Sequence, residues 1–190
     1  FHDDDLDRLT EAKGPVKALS TQALQMVKLN GTPNRMQTLA EMLEQVAGRV
    51  TLVIELKSLW DGDDALAKRA LRVLESYDGA HCLMSFDPDV VACLRALSPQ
   101  TVRGIVADRA TDPYYNALPL AKRLAIRSFA HLGETQPHFV SFYWRDLPFA
   151  PVTEIRNAGH PVITWTLRSK AEASQALRYC DQITFEGYTP

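Results

Sequence analysis

Cysteine is scarce in this chain. Its three copies, Cys82, Cys93 and Cys180, are odd in number, far apart and never in a C-x-x-C pair. That excludes a disulfide framework, and free thiols in apolar surroundings fit a reducing compartment. Long apolar runs are absent too. None approaches the ~20 residues that span a bilayer, so no stable membrane insertion is expected. Neither sign of charge is in excess: 21 Lys and Arg face 23 Asp and Glu, for a net charge of -2. Such a balance lacks the electrostatic footprint of a nucleic-acid partner or an anionic membrane. The chain also lacks an initiator Met and has no strand ahead of His2. The start of the domain is therefore expected upstream, where a signal peptide would also lie. A cytoplasmic location is the expectation, with the periplasm as the alternative. What remains is ordinary for a soluble globular domain: 190 residues, 46% apolar and 23% charged, enough for one sizeable core.

The most informative stretch runs V-T-L-V-I-E-L-K from Val50. Its apolar, β-branched run reads as a strand buried on both faces, as in parallel sheets. Glu55 and Lys57 end it. Two residues apart, they point to one side of the strand, and there they need to be paired or put to use. They are either an ion pair where the strand leaves the core, or ligand-binding groups at the end of the strand where α/β folds place their sites.

Elsewhere, short apolar strands alternate with helical patterns. Strands are predicted over 50–56, 81–86, 101–107, 139–143, 161–167 and 182–186. Helices are predicted over 38–46, 65–77, 89–97, 119–129, 152–158 and 170–178. Thr38 and Glu41 form a capping box, Ser20 caps a short helix before residue 29, and Gly159 ends the helix at 152–158. Residues 1–34 read as a small insertion subdomain and 35–190 as a barrel, the two making one domain. The alternation requires right-handed crossovers and a parallel sheet. It gives about six units, where a closed (β/α)8 barrel has eight and about 250 residues. Several predicted strands end in polar or aromatic residues: Glu55 with Lys57, Ser85 with Phe86, Trp165, and Glu186. Each alone is more often core or surface than ligand contact. Together they sit where barrel enzymes assemble a site.

The motifs F-H-D-D-D-L-D-R from Phe1, T-L-A-E-M-L from Thr38, V-I-E-L-K from Val53, S-F-D from Ser85, V-I-T-W-T from Val162 and D-Q-I-T-F-E-G-Y-T-P from Asp181 resemble, in order and spacing, the glycerophosphodiester phosphodiesterase family. The resemblance implies a TIM (β/α)8 barrel of the PLC-like phosphodiesterase type, with about six of its eight strands in this chain. It implies metal-dependent hydrolysis of glycerophosphodiesters to glycerol 3-phosphate and an alcohol, by acid–base catalysis. On this resemblance His2 is an acid–base histidine and Glu55 a ligand of Mg²⁺ or Ca²⁺. Lys57 contacts the phosphate, while Phe86, Trp165 and Glu186 line the substrate site. The chemistry agrees. Charge on the non-bridging oxygens needs a cation, oxygen ligands suit hard divalent ions, and a leaving alkoxide needs a proton that histidine can carry.

The family's H-R-G and E-x-D motifs do not occur here, and its closing T-D-x-P is replaced by T-F-E-G-Y-T-P. The chain as it stands is therefore expected to turn over slowly or not at all. His2 also reads as a solvated histidine in an acidic run, and His81, His131, His138 and His160 as structural or surface residues. Two other readings stand beside the leading one. One is a non-catalytic barrel that binds a phosphodiester or a partner. The other is a lysophospholipase D-like lipid phosphodiesterase, which needs an apolar rim, best placed at residues 113–115. The expected partner is a small glycerophosphodiester; the oligomeric state is left open.

Overall fold

The computed structural model describes residues 1–111 and 113–190, with the side chains of Pro113 and Tyr114 left out. Six strands form one sheet: β1 (Leu52–Glu55), β2 (His81–Ser85), β3 (Arg103–Ala107), β4 (Phe139–Tyr143), β5 (Val162–Leu167) and β6 (Gln182–Phe185). They lie in chain order, and every neighbouring pair is parallel. The helices are α1 (Thr21–Leu24), α2 (Leu39–Val46), α3 (Ala65–Leu74), α4 (Pro88–Leu97), α5 (Leu120–Arg127), α6 (Leu132–Thr135), α7 (Ala150–Asn157) and α8 (Lys170–Ala176). A parallel sheet in sequential order with helical crossovers is an arc of a (β/α)8-type barrel. The expected strand order is the observed one.

Local signals set the element ends. Thr38 caps α2 through a reciprocal capping box with Glu41. Asp87 caps α4, with Pro88 in the first turn, where a missing N–H costs nothing. Ser20 and Ser169 cap α1 and α8.

Successive strand residues face opposite sides of the sheet. Ile105, Val140 and Val162 are register partners on one face. With Phe142 they pack against Val91 of α4, Val152 of α7 and Ala176 of α8 to make the main core. Each such side chain, fully buried, stabilises the fold by about 1.5–3 kcal/mol. The other face carries the register pairs Gly104–Phe139, Ser141–Ile163 and Tyr143–Trp165.

Strand β1 departs from its expected burial on both faces. Val53 is 50% exposed, because β1 is an edge strand with a neighbour on one side only. The apolar rim expected at residues 113–115 is not found at Tyr115. That ring is buried against Ala110, Leu118 and Ile126, while the side chains of Pro113 and Tyr114 lie outside the described residues.

The chain divides into two compact units, Phe1–Thr51 with Arg72–Ala80, and Leu52–Leu71 with His81–Pro190. Helix α2, placed with the barrel by the sequence reading, thus groups with the N-terminal segment. Within that first unit, Gln25 donates to Glu41 at 2.8 Å, and three isolated bridges (Asp5–Pro15, Thr10–Leu29 and Lys28–Arg35) hold the loops together. Among the described residues no helix is long and apolar enough to cross a membrane.

Candidate active site

The carboxyl ends of β1, β2, β4 and β5 bring a connected group of side chains together. Glu55 is the last residue of β1, and Lys57 follows two positions later on the same side. The Lys57 ammonium lies 2.8 Å from Glu55 Oε1, with the two side chains 37% and 22% exposed. Glu55 Oε1 is itself fully enclosed, so the ammonium is what compensates it.

Lys57 Nζ also stands 5.7 Å over the Phe86 ring, just past the end of β2. Phe86 meets Trp165 edge to face at a centroid distance of 5.5 Å, and Trp165 in turn lies 5.0 Å from Tyr143. The indole N–H of Trp165 donates to the Ser141 carbonyl at 3.1 Å, which fixes the ring's orientation. The result is one cation beside a carboxylate and a continuous wall of three aromatic rings. Four of the six residues predicted for the site, Glu55, Lys57, Phe86 and Trp165, are in this group.

Glu186 is not brought into it. Its carboxylate is 57% exposed and pairs with the Arg168 guanidinium at 2.5 Å, joining the segments that follow β5 and β6. His2 belongs to the first compact unit. Its Nδ1 lies 2.7 Å from Asp3 Oδ1. A carboxylate only accepts, so Nδ1 carries the proton and Nε2 is the nitrogen left to accept one. Arg8 grips both oxygens of Asp3, at 2.6 and 2.7 Å. The Arg8 guanidinium first, and the His2 ring second, hold the Asp3 carboxyl well below the usual carboxylate range. An oriented histidine backed by a buttressed carboxylate is an arrangement suited to proton transfer.

The donor set does not by itself make a divalent-metal site. Ions such as Mg²⁺ and Ca²⁺ take about six oxygen ligands or more. Among the described residues Glu55 is the one carboxylate of the cluster, with one oxygen already on Lys57. Among the described residues no three His, Cys, Asp or Glu side chains gather to hold an ion.

The sequence model of the Glycerophosphoryl diester phosphodiesterase family matches residues 1–183. The chain belongs to this family. Glycerophosphoryl diester phosphodiesterases are phosphoric diester hydrolases, and solved structures of such enzymes share the fold. A phosphodiesterase from Oleispira antarctica, solved in complex with the product sn-glycerol-3-phosphate, superposes with a TM-score of 0.78 at 20% identity. The match covers 97% of this chain and 74% of that one. A putative glycerophosphoryl diester phosphodiesterase from Silicibacter pomeroyi gives a TM-score of 0.76 at 18% identity, over 97% and 74% of the two chains. A putative glycerophosphodiester phosphodiesterase from Galdieria sulphuraria gives 0.72 at 19% identity, over 90% and 68%. At such identities the likeness speaks for the fold. No curated protein sequence matches the chain.

Three features of this glycerophosphoryl diester phosphodiesterase domain are not legible in the sequence. Tyr143 reads as an ordinary strand residue, although it ends β4 as Trp165 nears the end of β5. Asp3 and Arg8 read as part of a solvated acidic loop; the H-D-x-x-x-x-R spacing is the available signal. The third is a polar hub. Ser58, after β1, donates to Asp87 Oδ2 at 2.6 Å, while Lys122 of α5 lies 3.6 Å from Asp87 Oδ1 and 2.8 Å from Asp89. The same ammonium sits 5.2 Å over Trp60. No local pattern joins residues so far apart in the chain.

Proposed function

We propose that this chain acts on glycerophosphodiesters at the carboxyl end of its sheet, releasing glycerol 3-phosphate and an alcohol. The observation that carries the reading is the Lys57 ammonium, held between the Glu55 carboxylate and the Phe86 ring beside an aromatic wall, in a chain of this family. An ammonium has three donors. With one on Glu55, the others can meet the non-bridging oxygens of a phosphodiester, where they oppose the charge that develops during cleavage. Phe86, Trp165 and Tyr143 offer flat apolar surface to the carbon skeleton of the glycerol or alcohol, and the Trp165–Ser141 bond keeps that surface in place.

For His2 we propose the acid–base role its motif implies. Asp3 fixes the tautomer, so that Nε2 takes a proton from an attacking hydroxyl or, once protonated, gives one to the leaving oxygen. Glu55 is proposed as one oxygen ligand of Mg²⁺ or Ca²⁺. The described residues do not by themselves complete such a site. Glu186 is held by Arg168, with its carboxylate engaged in that pair and not facing the Lys57 group.

A second reading is favoured by the single carboxylate of the cluster: a barrel that binds the phosphodiester without cleaving it. The test is release of glycerol 3-phosphate from glycerophosphocholine and glycerophosphoethanolamine with Mg²⁺ or Ca²⁺ present. Beside it runs a titration with glycerol 3-phosphate followed by tryptophan fluorescence. Turnover that falls about 10²-fold or more in Lys57→Ala supports the enzyme. Binding that needs Lys57, without turnover, supports the binding barrel. Neither binding nor turnover sinks both.

A further inference from the structure

Parallel strands begin at one end of a sheet and finish at the other. Arg103, the first residue of β3, is therefore at the opposite end from Glu55, the last residue of β1. A cavity of about 500 Å³ opens there, with apolar walls from Leu132 of α6, Val140 of β4 and Ile155 of α7. Its polar lining is Arg103, Gln136, His138 and His160, with no Asp or Glu among the described residues.

Arg103 is only 4% exposed, yet among the described residues no carboxylate pairs with it. Its Nε donates to the Thr135 carbonyl at 3.0 Å, and Nη1 to the Pro99 carbonyl at 3.1 Å. Among the described residues Nη2 has no hydrogen-bond partner. Neutral carbonyls satisfy donors but do not cancel a charge, and a buried charge without a counter-ion is costly. Burial first, and Arg95 second, push the Arg103 pKa below its usual value. His138 is fixed as well. Its Nδ1 accepts the backbone N–H of Arg103 at 3.1 Å, so the neutral ring carries its proton on Nε2 as a donor.

A partly apolar cavity with a guanidinium that no carboxylate compensates and an oriented imidazole donor is complementary to an anion with an apolar body. We propose that this cavity binds a small organic oxyanion, a carboxylate or a phosphate monoester carrying a short alkyl chain. Its head sits on Arg103 and His138, and its tail lies against Leu132 and Ile155. This site is independent of the one proposed around Lys57.

The experiment measures thermal stabilisation and calorimetric binding of the full chain with octanoate, octyl phosphate, inorganic phosphate and octylamine. Saturable stabilisation by octanoate or octyl phosphate, tighter than by inorganic phosphate and absent with octylamine, is the expected result; the better of the two names the head group. In Gln136→Glu and His160→Glu, a carboxylate tethered at the cavity competes for the cation and weakens binding about tenfold or more. Both positions are exposed, so the variants should fold. The proposal is overturned by no saturable binding of either alkyl anion, by inorganic phosphate binding as tightly, by equal binding of octylamine, or by undiminished affinity in both variants.

Discussion

Acid should weaken this fold through His131, a residue far from any catalytic role. Its ring is 8% exposed, 5.8 Å from the Phe129 ring. Nδ1 has a long contact of 3.4 Å with Thr135 Oγ1, and the enclosed Nε2 has no hydrogen-bond partner among the described residues. Burial in this setting pushes the pKa down from 6.5 to about 4. A histidine with a depressed folded pKa is neutral in the native state and takes up its proton first in the unfolded one. Its contribution is therefore complete above pH 6.5, falls away between 6.5 and about 4, and is gone below that. Each pH unit between the unfolded and folded pKa is equivalent to about 1.4 kcal/mol, so the loss amounts to roughly 3 kcal/mol. That is a large part of the roughly 5–15 kcal/mol typical of a domain. The assay is urea unfolding at one-unit steps from pH 8 to pH 4, comparing the protein with His131→Gln. Other groups titrate in the same range, so the signal is the difference between the two curves. The native protein should lose more stability than the variant across this window. Parallel curves, or an NMR titration of the His131 ring with a midpoint near 6.5, would refute the reasoning.

Lys57→Met leaves Glu55 Oε1 enclosed without its cation. Given the partial exposure of the pair, a loss of about 1–2 kcal/mol is expected, most of it recovered in Glu55→Gln/Lys57→Met, as a double-mutant cycle by urea unfolding will show. Gly104 has the Phe139 ring over its Cα: an added Cβ would meet ring atoms at 2.3 Å. Gly104→Ala should cost about 1–3 kcal/mol in thermal or urea unfolding, with partial rescue by Phe139→Leu. Thr38→Ala removes half of the capping box of α2 and should cost about 1 kcal/mol, visible as faster amide exchange in the first turn of that helix.

The parts of the fold legible in the sequence are those written locally. β-Branched runs, the Thr38–Glu41 box and the Glu55–Lys57 spacing each carry their signal within a few residues. Five of the six strands lie within two residues of the predicted bounds at both ends, and the sixth matches them. What stays hidden depends on neighbours far along the chain. Val53 reads as buried until β1 proves to be an edge. Tyr115 reads as a rim residue until the cluster of Ala110, Leu118 and Ile126 closes over it. Glu186 reads as a site residue because it follows the last strand, in the motif that stands where the family has T-D-x-P. Its partner Arg168 becomes visible only when the segments after β5 and β6 stand side by side. The grouping of Arg72–Ala80 with residues 1–51 is hidden for the same reason, since that segment comes from the middle of the chain.

The hub at Lys122 has a consequence for charge. One ammonium and one carboxylate, Asp87, tie together the segment after β1, the start of α4 and helix α5. The three connections meet at one carboxylate that is almost wholly enclosed. Without Lys122, α5 would lose its tie to the start of α4, and Asp87 would keep the Ser58 hydroxyl but be left as a buried anion without its cation.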